Sequence, residues 1–210
     1  MRVAIMQPYF FPYSGYFQLM SSVDLFIYLD DVQFVRRSWM TRNKISDPSG
    51  LAQIYLNVPV KKAHRSATIK EIEVFGPWVD RHKKTFLHVY GKKVERNPFY
   101  GFYGSLDEYV NLNEMLIRSL GEVAGILGIR CDFVRSSELK SEGCSSERII
   151  SLCKSVGAKE YYNLPGGVEL YDHDVFADHG LGLHFIDTSH QKKISVLESI
   201  FDESACNLRF

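Results

Sequence analysis

The sequence has no apolar run near the ~18 residues that a membrane-spanning helix requires, so no segment of it is expected to cross a bilayer. It has only four cysteines, Cys131, Cys144, Cys153 and Cys206, and they form neither a CxxC pair nor a metal-ligand spacing. With no signal peptide ahead of them, they read as reduced thiols of a cytoplasmic protein. The seven histidines include no HExxH or other metal pattern, so no histidine metal site is expected, and the sequence does not name a cofactor. Charge of one sign is missing too. Lys and Arg total 25 and so do Asp and Glu, which removes the basic excess that a general nucleic-acid binder needs. Repeats, low-complexity segments and linkers are absent.

What is present is a chain of 210 residues with 45% apolar content, enough for one domain with a sizeable core. Aromatics reach 13%, which suits either an aromatic-rich core or a site that grips a flat ligand. Local basic stretches ("VRRSW", "VKKAHR", "RHKK", "GKKVER") lie in the first half, where they suit solvated faces or the surroundings of an anionic ligand.

"RVAIM" (2–6) reads as a buried strand, "GYFQLMSSV" (15–23) as a helix and "DLFIYLDD" (24–31) as a second buried strand, together a βαβ unit. "AQIYLNVPV" (52–60) and "TIKEIEVF" (68–75) read as strands, and residues 78–92 as a helix stopped near Gly91. Residues 105–129 read as one or two long helices, with Ser105 and Glu108 as a capping box. A strand at 131–139, a helix at 144–158 capped by Ser145 or Ser146, a strand at 159–167, a short helix at 170–180 and a strand at 181–187 follow. The expected fold is α/β: a mostly parallel, Rossmann-like sheet with helices on both faces. A less regular insertion at about 33–98 would cover it, within a single domain spanning 1–210.

In such sheets ligands bind beyond the carboxyl ends of the strands, and the first βα turn is favoured because a helix N-terminus there offers free N–H groups. "QPYFFPYSGYF" occupies that turn. Pro8 and Pro12 stiffen it, Gly15 removes a side chain at a point of close approach, and Gln7, Tyr9, Tyr13 and Tyr16 offer polar groups. Tight packing of prolines and aromatics is the competing explanation. Asp30 and Asp31 end the second strand and are the candidate catalytic carboxylates, suited to binding sugar hydroxyls, holding a divalent ion or acting as a base. Gln33 follows them. Arg36, Arg37, Trp39, Arg42 and Asn43 combine paired donors with a stacking face, as an anionic, flat ligand requires. Ser136 and Ser137 suit either phosphate contacts or helix capping. Asn163, Gly166, Gly167 and Tyr171 are candidates for a pocket wall.

The first turn resembles that of HIGH-type nucleotidylyltransferases, with "YSGY" (13–16) standing where that family has its two histidines. Tyrosine, neutral at pH 7, is a poor substitute for imidazoles that stabilise charge on a phosphate. Nearly the whole chain resembles the WbqC-like protein family, through "MQPYFFPYSGYFQ", "DLFIYLDDVQF", "SWMTRNKI", "LNVPVKK", "SSELK", "ERIISLCKSVGAKEYYNLPGG" and "LYD". That family is found in bacterial surface-polysaccharide (O-antigen) gene clusters. The resemblance implies a transferase that attaches an aminoacyl (glycyl) or acyl group to a nucleotide-linked amino sugar. The alternative is a nucleotide- or nucleotide-sugar-binding module, or a degenerate nucleotidylyltransferase. The expected partner is a small nucleotide or nucleotide-sugar ligand, with no stable nucleic acid and no membrane. Acyl-CoA, aminoacyl-tRNA and ATP with an amino acid all remain open as donors.

Overall fold

The computed structural model describes residues 1–202. Five parallel strands form the central sheet: β1 (Arg2–Met6), β2 (Leu25–Tyr28), β5 (Asp132–Arg135), β6 (Glu160–Asn163) and β7 (Gly182–Phe185). Their spatial order is β5-β2-β1-β6-β7. The chain builds outward from β1 on one side, then crosses back to add β6 and β7 on the other. The order therefore reverses at β1, the position beside which open α/β sheets bind ligands.

Alternation along each strand divides the apolar residues between two cores. Val3, Ile5 and Ile27 face one way, against α5 (Ser145–Ser155) and α6 (His173–Asp178). Ala4, Phe26 and Tyr28 face the other, against α1 (Ser14–Ser21) and α4 (Leu112–Ile126). Both faces are covered, which is why β1 and β2 read as continuous apolar runs.

The connection from β2 to β5 runs from Leu29 to Cys131. It carries an antiparallel hairpin, β3 (Arg42–Ser46) and β4 (Gln53–Asn57), then α2 (Trp78–Tyr90), α3 (Pro98–Gly104) and α4. A last helix, α7 (Leu197–Phe201), packs under the hairpin.

Several local expectations change. β3 lies in the stretch read only as less regular. Its inward positions are Asn43 and Ile45, so only one apolar residue marks the buried face. "TIKEIEVF" is no strand. Thr68 and Glu71 form a capping box that starts a 3₁₀ turn, and isolated bridges tie Glu73 and Val74 to their neighbours. The 105–129 segment breaks at Tyr109. Ser105 Oγ donates back to the Phe102 carbonyl instead of capping, and Asn111 caps α4 by accepting from Glu114 N at 3.1 Å. Neither Ser145 nor Ser146 caps α5, since Cys144 holds the cap position without a side-chain bond. Cys131, Cys144 and Cys153 are unbridged, and Cys206 lies outside the described residues.

Candidate functional site

The first turn is an anchor as much as a lip. Phe10 and Phe11 are fully buried and lie edge-on to each other, with Phe10 edge-on to Trp78 and Phe11 edge-on to Phe99 and stacked on Tyr103, at centroid distances of 4.9–5.8 Å. Phe11 turns the chain at a left-handed φ of 42°, a strained conformation for a bulky residue. Two side chains hold it there. Asn43 Nδ2 donates to the Phe10 and Phe11 carbonyls at 3.0 and 2.6 Å, and Ser195 Oγ donates to the Phe11 carbonyl at 2.8 Å. The Phe10 N–H reaches the Trp39 carbonyl at 2.8 Å, which joins the turn to the arginine-rich segment.

Several candidates in this turn therefore act inward. Tyr16 is 0% exposed and its hydroxyl donates to the Gln7 carbonyl at 2.9 Å. Burial pushes its phenol well above the usual value, so it remains a neutral donor. Its hydroxyl is spent on holding the turn, and Asn43, 5% exposed, spends its amide in the same way. Gly15 is required by its neighbour: a Cβ there would lie 2.3 Å from Tyr13 Cε2. The Tyr13 ring lies over Gly15, with its hydroxyl 3.5 Å from Thr188 Oγ1, toward the β7 side. Gln7 and Tyr9 are half-buried, and Tyr9 Oη lies 3.4 Å from Gln7 Oε1.

Met6 pairs with Tyr28 in register, so Gln7 and the aspartate pair leave adjacent strands at the same sheet edge. There the two aspartates have different surroundings. Asp30 is 1% exposed. It accepts from Ser137 N at 3.1 Å, Ser137 Oγ at 3.0 Å and Asn113 Nδ2 at 3.1 Å. Ser136 Oγ lies 3.2 Å from Asp30 Oδ1 but 2.5 Å from Asp31 Oδ1, and its single proton goes to the nearer oxygen. Asp30 thus ties β2 to β5 and α4. Asp31 keeps about 23% of its side chain exposed and pairs with Arg148 Nη2 of α5 at 2.6 Å. Burial pulls its carboxyl upward, but Ser136 and Arg148 together outweigh that and hold it below the usual range. The serines read as possible phosphate ligands spend their donors on these two carboxyls. Beside them, Arg135 grips Glu114 through both terminal nitrogens, at 2.5 and 2.8 Å.

The arginine segment lies on the crossover. Arg36, Arg37, Thr41, Arg42, Asn57, Val58 and Val60 line one cleft of about 400 Å³. Among the described residues none of the three arginines meets a carboxylate. Arg42 Nε is buried with no acceptor, although the Arg42 guanidinium sits 5.6 Å from the Tyr55 ring centre. Arg37 adopts a left-handed φ of 56° and Trp39 is 44% exposed. Gln33 turns away from the aspartates and donates to the Arg65 carbonyl at 2.7 Å.

On the far side of β1, Asn163 is 6% exposed. It donates to Tyr161 Oη at 3.1 Å and accepts from Leu164 N at 2.7 Å. A Cβ on Gly167 would meet Asn163 Nδ2 at 2.6 Å, so that glycine makes room for the asparagine. Gly166 is exposed, and Tyr171 packs its ring edge-on against Tyr161 and Phe176. Arg148, Asn113, Thr41 and Asn57 complete these groups and were not singled out from the sequence. Only the Asn111-x-x-Glu114 cap, which places Asn113 in the first turn of α4, could have pointed to one of them.

The fold and this edge define a Rossmann-like α/β protein whose sheet ends in an aspartate pair and whose crossover carries unpaired arginines. The chain belongs to the WbqC-like protein family, which it matches over residues 7–203. It is 28% identical over 191 residues to the uncharacterized protein Rv1507c of Mycobacterium tuberculosis, a match covering 89% of this chain and 82% of that protein. No solved structure matches it significantly. No helix among the described residues is long and apolar enough to cross a membrane.

Proposed function

We propose that the protein is a transferase of bacterial surface-polysaccharide biosynthesis, attaching an aminoacyl (glycyl) or acyl group to a nucleotide-linked amino sugar. The observation that carries this reading is the buried, acceptor-less Arg42 Nε in a cleft with two more unpaired arginines. An orphaned buried donor costs about 1–3 kcal/mol. Folding gains nothing from that cost, whereas an anionic ligand that fills the cleft removes it. Trp39 offers an exposed ring for a base or sugar. Asp31 is five residues from Arg36, at most about 17 Å of extended chain, so one elongated ligand reaches both.

In the transfer, the sugar amine forms a bond to the donor's carbonyl carbon. The bond from that carbon to its leaving oxygen or sulfur breaks, and the leaving group departs with the electron pair. A carboxyl held below its usual range is a weak base near pH 7 but a strong acceptor. Asp31 therefore orients the amine and stabilises the positive charge that grows on nitrogen, and the surplus proton passes to water. The saturated oxygens of Asp30 favour one alternative, a binding module that does no chemistry.

Incubation of the protein with nucleotide amino sugars and each donor class, read by mass spectrometry, separates the two. The wild type is expected to form an N-acylated nucleotide sugar. Asp31→Asn is expected to lower kcat by about 10²-fold while Asp30→Asn retains most activity. Absence of product with every donor would favour the binding module, and full activity in Asp31→Asn would remove that residue from the chemistry.

A further inference from the structure

Arg36 belongs to two clefts. Besides the one shared with Arg37 and Arg42, it lines a second of about 350 Å³ with Gln33, Phe34, Val35, Ala63, His64 and Arg65. The second cleft is held in shape by backbone and side chain. Phe34 N donates to the Ala67 carbonyl at 2.8 Å, Gln33 pairs with Thr68 across a bridge, and Gln33 Nε2 donates to the Arg65 carbonyl at 2.7 Å. Its cation, Arg65, is also without a carboxylate among the described residues. His64 Nδ1 is engaged by Ser66 Oγ at 2.7 Å, which leaves Nε2 as the ring nitrogen available to a ligand.

We propose that these adjoining clefts form one bipartite site for a diphosphate. One phosphoryl group sits between Arg37 and Arg42, the other beside Arg65, and Arg36 bridges them. The proposal rests on the nucleotide-sugar reading above and narrows it to sugars linked through two phosphates rather than one. Two neighbouring anions need cations on both sides and one between, and an otherwise neutral chain gathers four unpaired arginines in that arrangement. A single phosphoryl group would leave either Arg65 or the Arg37–Arg42 pair without a counter-charge. Arg37 supplies a further reason. It holds a left-handed backbone, φ 56°, in an exposed turn, and such conformations concentrate at ligand clamps.

Isothermal titration with inorganic pyrophosphate and with orthophosphate tests this on the intact protein. Pyrophosphate is expected to bind at least tenfold more tightly than orthophosphate. Arg42→Ala and Arg65→Ala should each weaken pyrophosphate by about tenfold or more, as the loss of a charged hydrogen-bonding partner does. Each should change orthophosphate far less, because a single phosphoryl group can use the remaining cleft. Arg36→Ala should weaken both ligands. Melting temperatures report folding of each variant. If Arg42→Ala weakens pyrophosphate and Arg65→Ala does not, the bipartite site is wrong and the arginine cleft stands. If no arginine variant changes either ligand, the anion site and the diphosphate proposal fall together.

Discussion

Asp30→Ala is expected to destabilise the protein by about 3–5 kcal/mol, the largest single effect at the sheet edge. Its carboxyl is 1% exposed and takes hydrogen bonds from Ser137 N, Ser137 Oγ and Asn113 Nδ2. Removing it strands the buried Asn113 Nδ2 and the part-buried Ser137 N–H near the junction of β2, β5 and α4. Asp30→Asn should cost far less, about 1 kcal/mol, the net worth of one hydrogen bond. The reason is Asn113. Its Oδ1 is buried without a partner, so its amide can flip and accept from the new amide nitrogen. Urea denaturation of the two variants gives both numbers. A loss under 1 kcal/mol for the alanine would show that these hydrogen bonds do not hold the edge.

His82 is expected to make stability depend on pH. The ring is 3% exposed, between Trp78 and Phe86, and it connects two elements. Nε2 accepts from Asn57 N of β4 at 3.1 Å, so Nδ1 carries the proton and faces Tyr103 Oη at 2.7 Å. Burial is the main cause that lowers its pKa, to about 4, with Arg81 adding to it. As pH falls through about 6.5, the unfolded chain takes up a proton that the folded chain refuses. Stability is therefore complete above that value and lost progressively down to about pH 4, by at most about 3 kcal/mol. His82→Gln keeps an acceptor and a donor but does not titrate. Its unfolding free energy should fall less than that of the wild type between pH 7 and pH 4.5. Parallel profiles would mean that His82 is protonated in the folded state.

β1 and β2 were legible because they are buried on both faces, so "VAIM" and "LFIYL" run without a charged residue. The hairpin was harder to read for the opposite reason. β3 puts Asn43 on its buried face and leaves Arg42, Lys44 and Ser46 partly open, so hydrophobic alternation is nearly absent. That asparagine is buried to brace the Phe11 turn, a demand that arises only in three dimensions. Residues 68–75 alternate as a strand would, yet the Thr68–Glu71 box starts a 3₁₀ turn first. α3 was hidden by its two glycines, although Asn97 followed by Pro98 is a helix-start signature.

At the site, position in the sheet pointed to Asp30 and Asp31, but their separate roles depend on distant partners. Arg148 is 117 residues from Asp31 and reaches it only because α5 packs on the second face. The aromatic turn left two explanations open, a ligand surface and tight packing. Phe10 and Phe11 take the second and pack the junction between sheet and crossover, where their ring partners lie more than sixty residues away in the chain.

The binding of a nucleotide amino sugar in the Arg42 cleft is tested most directly by thermal shift of the wild type and Arg42→Ala, with and without that ligand. Without ligand, the variant is expected to melt at or slightly above the wild-type temperature, because the substitution removes a buried donor that has no acceptor. With ligand at about a hundred times its dissociation constant, the wild type should gain about 2.7 kcal/mol of stability and the variant little of it. A ligand-induced rise of equal size in both proteins, or none in the wild type with any nucleotide sugar, would contradict the assignment of the cleft.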